Sequence, residues 1–303
     1  MKNVILDVDT GIDDAIALIM AIKSKEFNII GITTVMGNVT AGQAAINTTK
    51  VLKLINEGDI PVIIGEERPL AGNVSQTTHS QGSSFEVLDY VDASACKIHK
   101  GGAVDFLIDS IISHKESGVT LILTAPLTNI ALAIKKAPYI KEYIKEAVIM
   151  GGANECSGNI TPHAEFNFYK DPEAANIVLN SGINITLITL DVTNKVIVTG
   201  GDIENIGDVN LKNFVKESTK PLMDRYERRF GIRGCFMHDP LTVAYAIDRG
   251  FINTKKVKIH VISEETQFKG RVICEDDVRS PVSISTGVDE DKFKNLFRTY
   301  MNS

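Results

Sequence analysis

Apolar runs of strand length alternate with amphipathic helical segments along most of the chain. The strand-like runs are VILDV, FNIIGITTV, IPVII, VTLILT, AVIM and ITLITL, at residues 4–8, 27–35, 60–64, 119–124, 147–150 and 185–190. Helices are expected near residues 13–25, 41–57, 102–115, 127–136 and 172–179. This alternation predicts an α/β fold with an open, mainly parallel, Rossmann-like sheet and helices on both faces. In such a sheet the ligand crevice lies at the carboxyl ends of the strands.

The composition excludes several classes of protein. The chain has 303 residues, 44% of them hydrophobic, and no linker, so we expect one domain over residues 1–303 with a sizeable core. Lys and Arg number 32 against 38 Asp and Glu and form no basic stripe, so nucleic acid is not an expected partner. No apolar run reaches the ~20 residues of a membrane span, and Asp7 and Asp9 interrupt any secretory signal pattern. We therefore expect a cytoplasmic protein without membrane contact, whose scattered cysteines are reduced thiols.

The stretch DVDTGIDDA, at residues 7–15, crowds four carboxylates at the end of the first predicted strand and the start of the helix that follows, and we expect all four to converge on the crevice. Acidic side chains favour the first turn of a helix, which accounts for Asp13 and Asp14 but not for Asp7 and Asp9. Like charges this close oppose one another's ionisation unless something positive lies among them. Carboxylates without His or Cys nearby indicate a hard divalent cation, Ca²⁺ or Mg²⁺.

Three later segments combine a helix start with polar residues. They are LTAPLTNIALA at 123–133, VIMGGANECSGNITPHAEFNFYKDPEAA at 148–175 and MHDPLTVAYAI at 237–247. Taken singly, their Pro, Asn, Asp and Glu residues are ordinary helix caps and loop residues. The second segment carries Asn159, Glu165 and Asn167 as an ordered set in one long loop.

Two families share an aspartate pair at the end of the first strand. Haloacid-dehalogenase-like phosphatases open on D-x-D-x-T/V, which would make Asp7 a nucleophile beside Mg²⁺, but their later Gly-Asp-Gly-x-x-Asp run does not occur here. From Val4 to about Asp248 the motifs closely resemble those of the inosine-uridine-preferring nucleoside hydrolases, which open on D-x-D-x-G-x-D-D-A. The resemblance implies the nucleoside hydrolase fold and Ca²⁺-dependent hydrolysis of the N-glycosidic bond of a small-molecule ribonucleoside, by a homo-oligomer (dimer or tetramer). A Mg²⁺-dependent phosphohydrolase and a non-catalytic ribonucleoside-binding protein remain as alternatives.

The resemblance also implies roles for individual residues. Ca²⁺ would be bound by the carboxylates of Asp9, Asp14 and Asp239 and by the backbone carbonyl of Thr124. It would lower the pKa of a bound water, whose proton Asp9 accepts. The ribose would be bound by Asp13, Asn159, Glu165 and Asn167, with Asn38 on the metal and water side of the substrate. Asp7 would orient neighbouring groups rather than bind the ion. At the base, His238 would act as general acid, with Tyr226 and His79 as further contacts.

Two features of the sequence bear on which nucleobase the enzyme prefers. The family commonly reads H-G-x-x-G-L-G where this chain has HSQGSSF at 79–85, so the base pocket is expected to differ there. The chain has no Trp, whereas the purine-specific branch sandwiches its base between indoles. We therefore expect a pyrimidine-preferring enzyme for uridine and cytidine, or a nonspecific one that also accepts inosine, in nucleoside salvage. Arg228, Arg229 and Arg233 indicate either a phosphate site or a solvated helix end, and the second is preferred.

Overall fold

Strands and helices alternate along the chain, as the sequence predicts. The computed structural model describes residues 1–71, 82–91, 98–99 and 102–303. Its strands are β1 (Lys2–Val8), β2 (Phe27–Thr34), β3 (Val62–Ile64), β4 (Ile98–His99), β5 (Val119–Leu123), β6 (Ile144–Met150), β7 (Ile185–Ile188), β8 (Ile197–Val198), β9 (Cys235–Phe236), β10 (Ile252–Val261), β11 (Val272–Asp276) and β12 (Val282–Val288). Its α-helices are α1 (Ile12–Lys23), α2 (Ala41–Leu54), α3 (Ala103–Ser113), α4 (Thr128–Lys136), α5 (Phe166–Lys170), α6 (Pro172–Leu179), α7 (Leu190–Thr193), α8 (Gly200–Glu204), α9 (Val209–Phe230), α10 (His238–Ile247) and α11 (Glu290–Met301).

Ten of the described strands form one sheet, in the order β11-β10-β12-β7-β6-β5-β1-β2-β3-β4. Neighbouring strands from β12 to β4 are parallel, whereas β10 pairs antiparallel with both β12 and β11. β10 alternates buried and exposed residues along much of its length, as expected of an antiparallel strand with one face in solvent. The mainly parallel sheet confirms the predicted fold class.

The two faces of the sheet carry separate apolar cores. Successive side chains of a strand point to opposite faces, so Val4, Leu6 and Val8 of β1 join one core and Ile5 joins the other. The first core is covered by α1, α9, α10 and α11, and the second by α3, α4 and α6. Helices therefore cover both faces, and β1 is buried on each side.

One predicted strand ends earlier than its sequence suggests. The run ITLITL predicts a strand to residue 190, but β7 ends at Ile188 and α7 begins at Leu190. The backbone N–H of Thr189 donates to the side chain of Ser285, and its carbonyl accepts from the N–H of Thr193. These two bonds turn the chain out of the sheet, which an apolar pattern alone does not reveal.

The direction of chain winding reverses between β1 and β5. From β1 the chain runs to β2, β3 and β4 in one direction, and from β5 to β6 and β7 in the other. Two loops therefore diverge at the carboxyl ends of β1 and β5, which is where open α/β sheets bind their ligands. α10 packs against α1 beside this point. Within the described ranges, no helix is long and apolar enough to cross a membrane.

Candidate functional site

A cavity of about 540 Å³ opens at the carboxyl edge of the parallel sheet. It is lined by nine of the residues that the sequence predicts for the site: Asp13, Asn38, Thr124, Asn159, Glu165, Asn167, Tyr226, His238 and Asp239. Asp9 and Asp14 are buried, with exposed fractions of 1% and 0%, and belong to the layer beneath the cavity. His79 lies outside the described residues. Segments far apart in sequence thus meet where the strands end.

Asp9 is held against the loop that follows β2. Its Oδ2 accepts from the backbone N–H of Asn38 at 2.6 Å, and its Oδ1 accepts from the side-chain amide of Asn38 at 3.1 Å. The adjacent residue must be small, because a Cβ at Gly37 would lie 1.8 Å from Asp9 Oδ2. Gly37 and Asn38 together fix the orientation of the Asp9 carboxylate.

Asp14 closes the turn between β1 and α1. Its Oδ2 accepts from the backbone N–H of Gly11 at 3.0 Å, which satisfies a donor at the helix start. Its Oδ1 accepts from the hydroxyl of Thr124 at 2.8 Å. The backbone N–H of Thr124 donates in turn to the carbonyl of Asp7 at 3.0 Å. The ends of β1 and β5 are therefore joined through side chain and backbone.

Asp13 joins α1 to α10. Its Oδ2 accepts from the backbone N–H groups of His238 and Asp239, at 3.0 and 3.1 Å. These are the first residues of α10, whose early N–H groups have no partner within the helix. A carboxylate at this point also opposes the positive end of the helix dipole. Asp13 thereby sets where His238 and Asp239 meet the cavity.

The long loop before α5 is organised by its own polar side chains. Asn159 Oδ1 accepts from the backbone N–H of Phe166 at 2.9 Å. Glu165 caps α5, with Oε1 accepting from the N–H of Asn167 at 2.7 Å and Oε2 from the N–H of Gly152 at 3.0 Å. The amide of Asn167 donates to the backbone carbonyl of Thr124 at 2.9 Å. Asn159 and Glu165 therefore accept hydrogen bonds from backbone N–H groups around the start of α5, and the same two residues line the cavity.

Five carboxylic acids lie together in and beneath the cavity: Asp9, Asp13, Asp14, Glu165 and Asp239. Burial raises the pKa of Asp13 to about 8 and that of Glu165 to about 7. Burial also raises the pKa values of Asp9, Asp14 and Asp239, and the charge of Asp14 adds to the rise at Asp9 and Asp239. The ion pairs among the described residues involve none of these five groups. The protein thus concentrates acidic oxygens at one place, where burial opposes their ionisation.

The described residues do not contain a preformed metal cluster. No three Asp, Glu, His or Cys side chains among them are arranged to hold a metal ion. The carbonyl of Thr124 already accepts a hydrogen bond from Asn167, and Asp14 from the hydroxyl of Thr124. A cation bound here would replace or shift these contacts.

Aromatic side chains form another part of the cavity wall. The ring centroid of Tyr226 lies 5.0 Å from that of Phe236, which in turn lies 5.9 Å from that of His238. Nδ1 of His238 forms a hydrogen bond with the hydroxyl of Thr193 at 2.7 Å. Burial lowers the pKa of His238 to about 4, so its imidazole is neutral at neutral pH. A neutral ring with one nitrogen engaged by Thr193 has its other nitrogen available to a ligand.

Asp7 lies apart from the cavity, contrary to the expectation that all four N-terminal aspartates converge on it. The hydroxyl of Thr33 and the amide of Asn129 donate to its Oδ1 at 2.5 and 2.8 Å. Its Oδ2 is buried and has no hydrogen-bond partner among the described residues. Burial raises the pKa of Asp7 to about 7. By the alternation along β1, its side chain lies on the face of the sheet that carries Ile5, where Thr33 and Asn129 bind it, and it is not among the residues that line the cavity.

Sequence reasoning missed two supporting residues. Asn129 joins Asp7 to the carbonyl of Thr34 and also accepts from the N–H of Glu66, and the motif PLTN contains it. Thr193 holds His238 and lies in DVTN, at residues 191–194, directly after the predicted strand ITLITL. Both motifs carried a signal, but the partner lies far away in the sequence in each case.

Known proteins resemble this chain along nearly its full length. The family model described as inosine-uridine preferring nucleoside hydrolase matches residues 4–295. The inosine-uridine preferring nucleoside hydrolase of Crithidia fasciculata is 32% identical, over 97% of this chain and 96% of that protein. The pyrimidine-specific ribonucleoside hydrolase RihA of Photobacterium profundum is 38% identical, over 82% of this chain and 80% of that protein.

A solved structure shows the same fold. The purine-preferring ribonucleoside hydrolase from Gardnerella vaginalis superimposes with a TM-score of 0.89 and 34% identity, over 99% of this chain and 98% of that one. The family match and the structural match both agree with the predicted family, and both extend over nearly the whole chain. The chain therefore belongs to the inosine-uridine preferring nucleoside hydrolase family, and it is an N-glycosidase that acts on ribonucleosides.

Proposed function

We propose that this enzyme uses Ca²⁺ to hydrolyse the N-glycosidic bond of pyrimidine ribonucleosides, or of a wider set that includes inosine, in nucleoside salvage. The observation that carries the proposal is the group of five carboxylic acids, none of which forms an ion pair among the described residues, beside a cavity lined by Asn and His side chains. Acidic oxygens this crowded are stabilised by a divalent cation, and amides suit the hydroxyls of a sugar.

The donor set suits Ca²⁺. The proposed ligands are the carboxylates of Asp9, Asp14 and Asp239 and the carbonyl of Thr124, which are all hard oxygen donors. Three carboxylates with a backbone carbonyl favour Ca²⁺, which accepts many oxygen ligands in flexible geometry, over Mg²⁺, which keeps most of its waters. When bound, the ion supplies a positive charge that lowers the pKa of a water and binds sugar hydroxyls.

The ribose is proposed to lie between the two ends of the site. Asp13 and Asn38 approach it from the strand ends, and Asn159, Glu165 and Asn167 approach it from the long loop. Their acceptors and donors match the hydroxyl groups, and the carboxylate charge favours the positive charge that develops at C1′ as the glycosidic bond breaks. Since Asn38 orients Asp9, the same loop positions the carboxylate that accepts the water proton.

The base is proposed to lie against Tyr226 and His238. Because the imidazole is neutral, His238 would donate a hydrogen bond from the nitrogen that Thr193 does not hold, rather than act as a charged acid. The absence of Trp from the sequence supports a pyrimidine or nonspecific preference. The names of the relatives give different preferred bases. The base preference of this enzyme must therefore follow from the residues that line its own cavity.

The buried position of Asp7 disfavours the alternative of an aspartyl phosphatase. A nucleophile must touch the substrate, whereas the Asp7 carboxylate is fully buried against Thr33 and Asn129. We further propose that residues 1–303 act as one domain, in the cytoplasm, as a homo-oligomer of two or four subunits. Sedimentation of the purified protein tests the subunit count.

The central experiment measures reducing sugar released from uridine, cytidine and inosine, with added Ca²⁺ and after treatment with EDTA. Ribose release that EDTA abolishes and Ca²⁺ restores is expected. Asp239→Asn should lose activity and calorimetric Ca²⁺ binding, while the control Asp248→Asn, an exposed residue at the other end of α10, should keep both. Full turnover after exhaustive chelation would refute the metal role, and ribose release from none of the nucleosides would refute the activity.

A further inference from the structure

One face of α9 lines the cavity. The residues on this face are Leu222, Arg225, Tyr226, Arg229 and Phe230. Their spacing of three and four residues is that of neighbours on one side of a helix. α9 therefore presents a continuous strip to the cavity, in which two arginines flank Tyr226 in sequence.

The two arginines on this strip, Arg225 and Arg229, form no ion pair within the described part of the chain. The guanidinium of Arg229 lies 5.1 Å from the ring centroid of Phe230. By contrast, Arg233 pairs with Glu227 at 3.1 Å, as expected of a solvated helix end. Like charges one helical turn apart are unfavourable, so an anionic or oxygen-rich ligand would relieve their repulsion.

The residues around the two arginines indicate that the arginines lie at the end of the cavity where the nucleobase is proposed to bind. Tyr226 lies between them in sequence, and its ring packs against Phe236, which lies next to His238. Flat apolar rings suit a nucleobase, whereas the carboxylates and amides that suit a sugar belong to the loops after β1 and β2, to α1 and α10, and to α5 with the loop before it. The charge of Arg225 reaches Tyr226, where it opposes the larger effect of burial on the pKa of the phenol.

The chemistry of the reaction creates negative charge at this end. When the C1′–N bond breaks, its electron pair stays on the base nitrogen, and the charge spreads to the ring carbonyl oxygens. The oxygen of water bonds to C1′, and the water proton passes to Asp9. The base anion then takes a proton from solvent, which Asp9 replenishes, so that base and ribose leave neutral. An arginine remains charged throughout and offers forked donors to such oxygens.

We propose that Arg225 and Arg229 bind the departing base and stabilise the negative charge that it acquires as the glycosidic bond breaks. This inference rests on the proposed function and adds two catalytic residues to it. The arginines act on the leaving group, whereas the carboxylates act on the sugar. Their effect must therefore grow with the basicity of the base that leaves.

The test compares uridine with 5-fluorouridine, whose fluorine makes the departing base less basic. The variants are Arg225→Gln, Arg229→Gln and the double variant, assayed with saturating Ca²⁺. Arg228→Gln is the matched control, because Arg228 lies on the same exposed helix end, does not line the cavity and bonds to the carbonyl of Asp224. Arg225→Lys retains the charge, and circular dichroism and thermal unfolding check that each variant folds.

Each glutamine variant is expected to lower kcat/KM for uridine about tenfold, the usual factor for a hydrogen bond to a charged group. The loss should be smaller with 5-fluorouridine, and Arg225→Lys should recover part of it. Equal losses with both substrates, or none, would overturn the inference while uridine hydrolysis by the wild type still supports the proposed function. Loss confined to uridine 5′-monophosphate would place the anion on the sugar and also overturn it. A wild type that releases ribose from no nucleoside would remove both proposals.

Discussion

Gly37→Ala is the sharpest test of how Asp9 is held. A methyl group at this position would lie 1.8 Å from Oδ2 of Asp9 and 2.7 Å from its Cγ. Carbon and oxygen cannot approach so closely, so either the loop or the carboxylate must move. Asp9 cannot rotate freely, because both of its oxygens accept hydrogen bonds from Asn38.

The magnitude follows from these contacts. Forcing a methyl group into a packed site costs about 1–3 kcal/mol of stability. Each hydrogen bond that Asp9 loses, being to a charged group, is worth about 1.5–3 kcal/mol. A displacement of about 1 Å in a catalytic group typically lowers activity about 100-fold. We therefore expect Gly37→Ala to fold, to bind Ca²⁺ more weakly and to lose about 100-fold in kcat/KM.

The assay combines uridine hydrolysis, calorimetric Ca²⁺ titration and urea unfolding. Gly200→Ala is the matched control, because a Cβ at Gly200 would meet nothing within 4 Å. That variant should retain wild-type activity and metal affinity. If Gly37→Ala hydrolyses uridine as fast as the control does, the close approach of Gly37 to Asp9 does not matter to the reaction. The proposal that a fixed Asp9 carboxylate accepts the water proton would then be refuted.

Two further predictions concern the support of the site. Thr193→Val removes the hydroxyl bonded to His238 Nδ1 and is expected to lower kcat about tenfold. Thr193→Ser keeps the hydroxyl and should retain most of the activity. Steady-state kinetics in which the two variants have the same kcat would contradict this prediction. The chelated protein should become less stable as pH rises. Burial raises the pKa of Asp13 to about 8 and of Glu165 to about 7, from 3.8 and 4.5, so the folded state keeps protons that the unfolded state releases. The free energy of unfolding should then fall between about pH 4 and pH 8; Ca²⁺ should flatten the curve, and rising stability in chelator would contradict the prediction.

The parallel half of the fold could be predicted because fully buried strands have distinctive sequences. β5 and the end of β6 are continuous apolar runs, since both of their faces are covered by helices. β10 and β11 mix charged and apolar residues, and their antiparallel pairing at the sheet edge leaves no comparable signal. Residues near the C-terminus therefore contributed little to the predicted fold.

The layout of the site was predictable only in part. The carboxyl ends of parallel strands meet, so polar residues that follow several strands can be expected to come together. The pleat of β1 directs Asp7 to the buried face that carries Ile5, whereas Asp13 lies in the first turn of α1 and lines the cavity. The bond from Thr193 to His238 and the face that α9 presents depend on packing between distant segments, which no local pattern encodes.

The two ends of the cavity are formed by different parts of the chain, and this has a consequence for evolution. The acidic end is built from the first strand, its helix and the start of α10, which are fastened to each other, whereas α9 is a long helix whose last turns are largely exposed. Substitutions on that helix can accumulate without disturbing the carboxylates. Selection can thus retune how the base is bound and released through α9, while the carboxylates that act on the sugar are inherited unchanged, and an engineer can follow the same route.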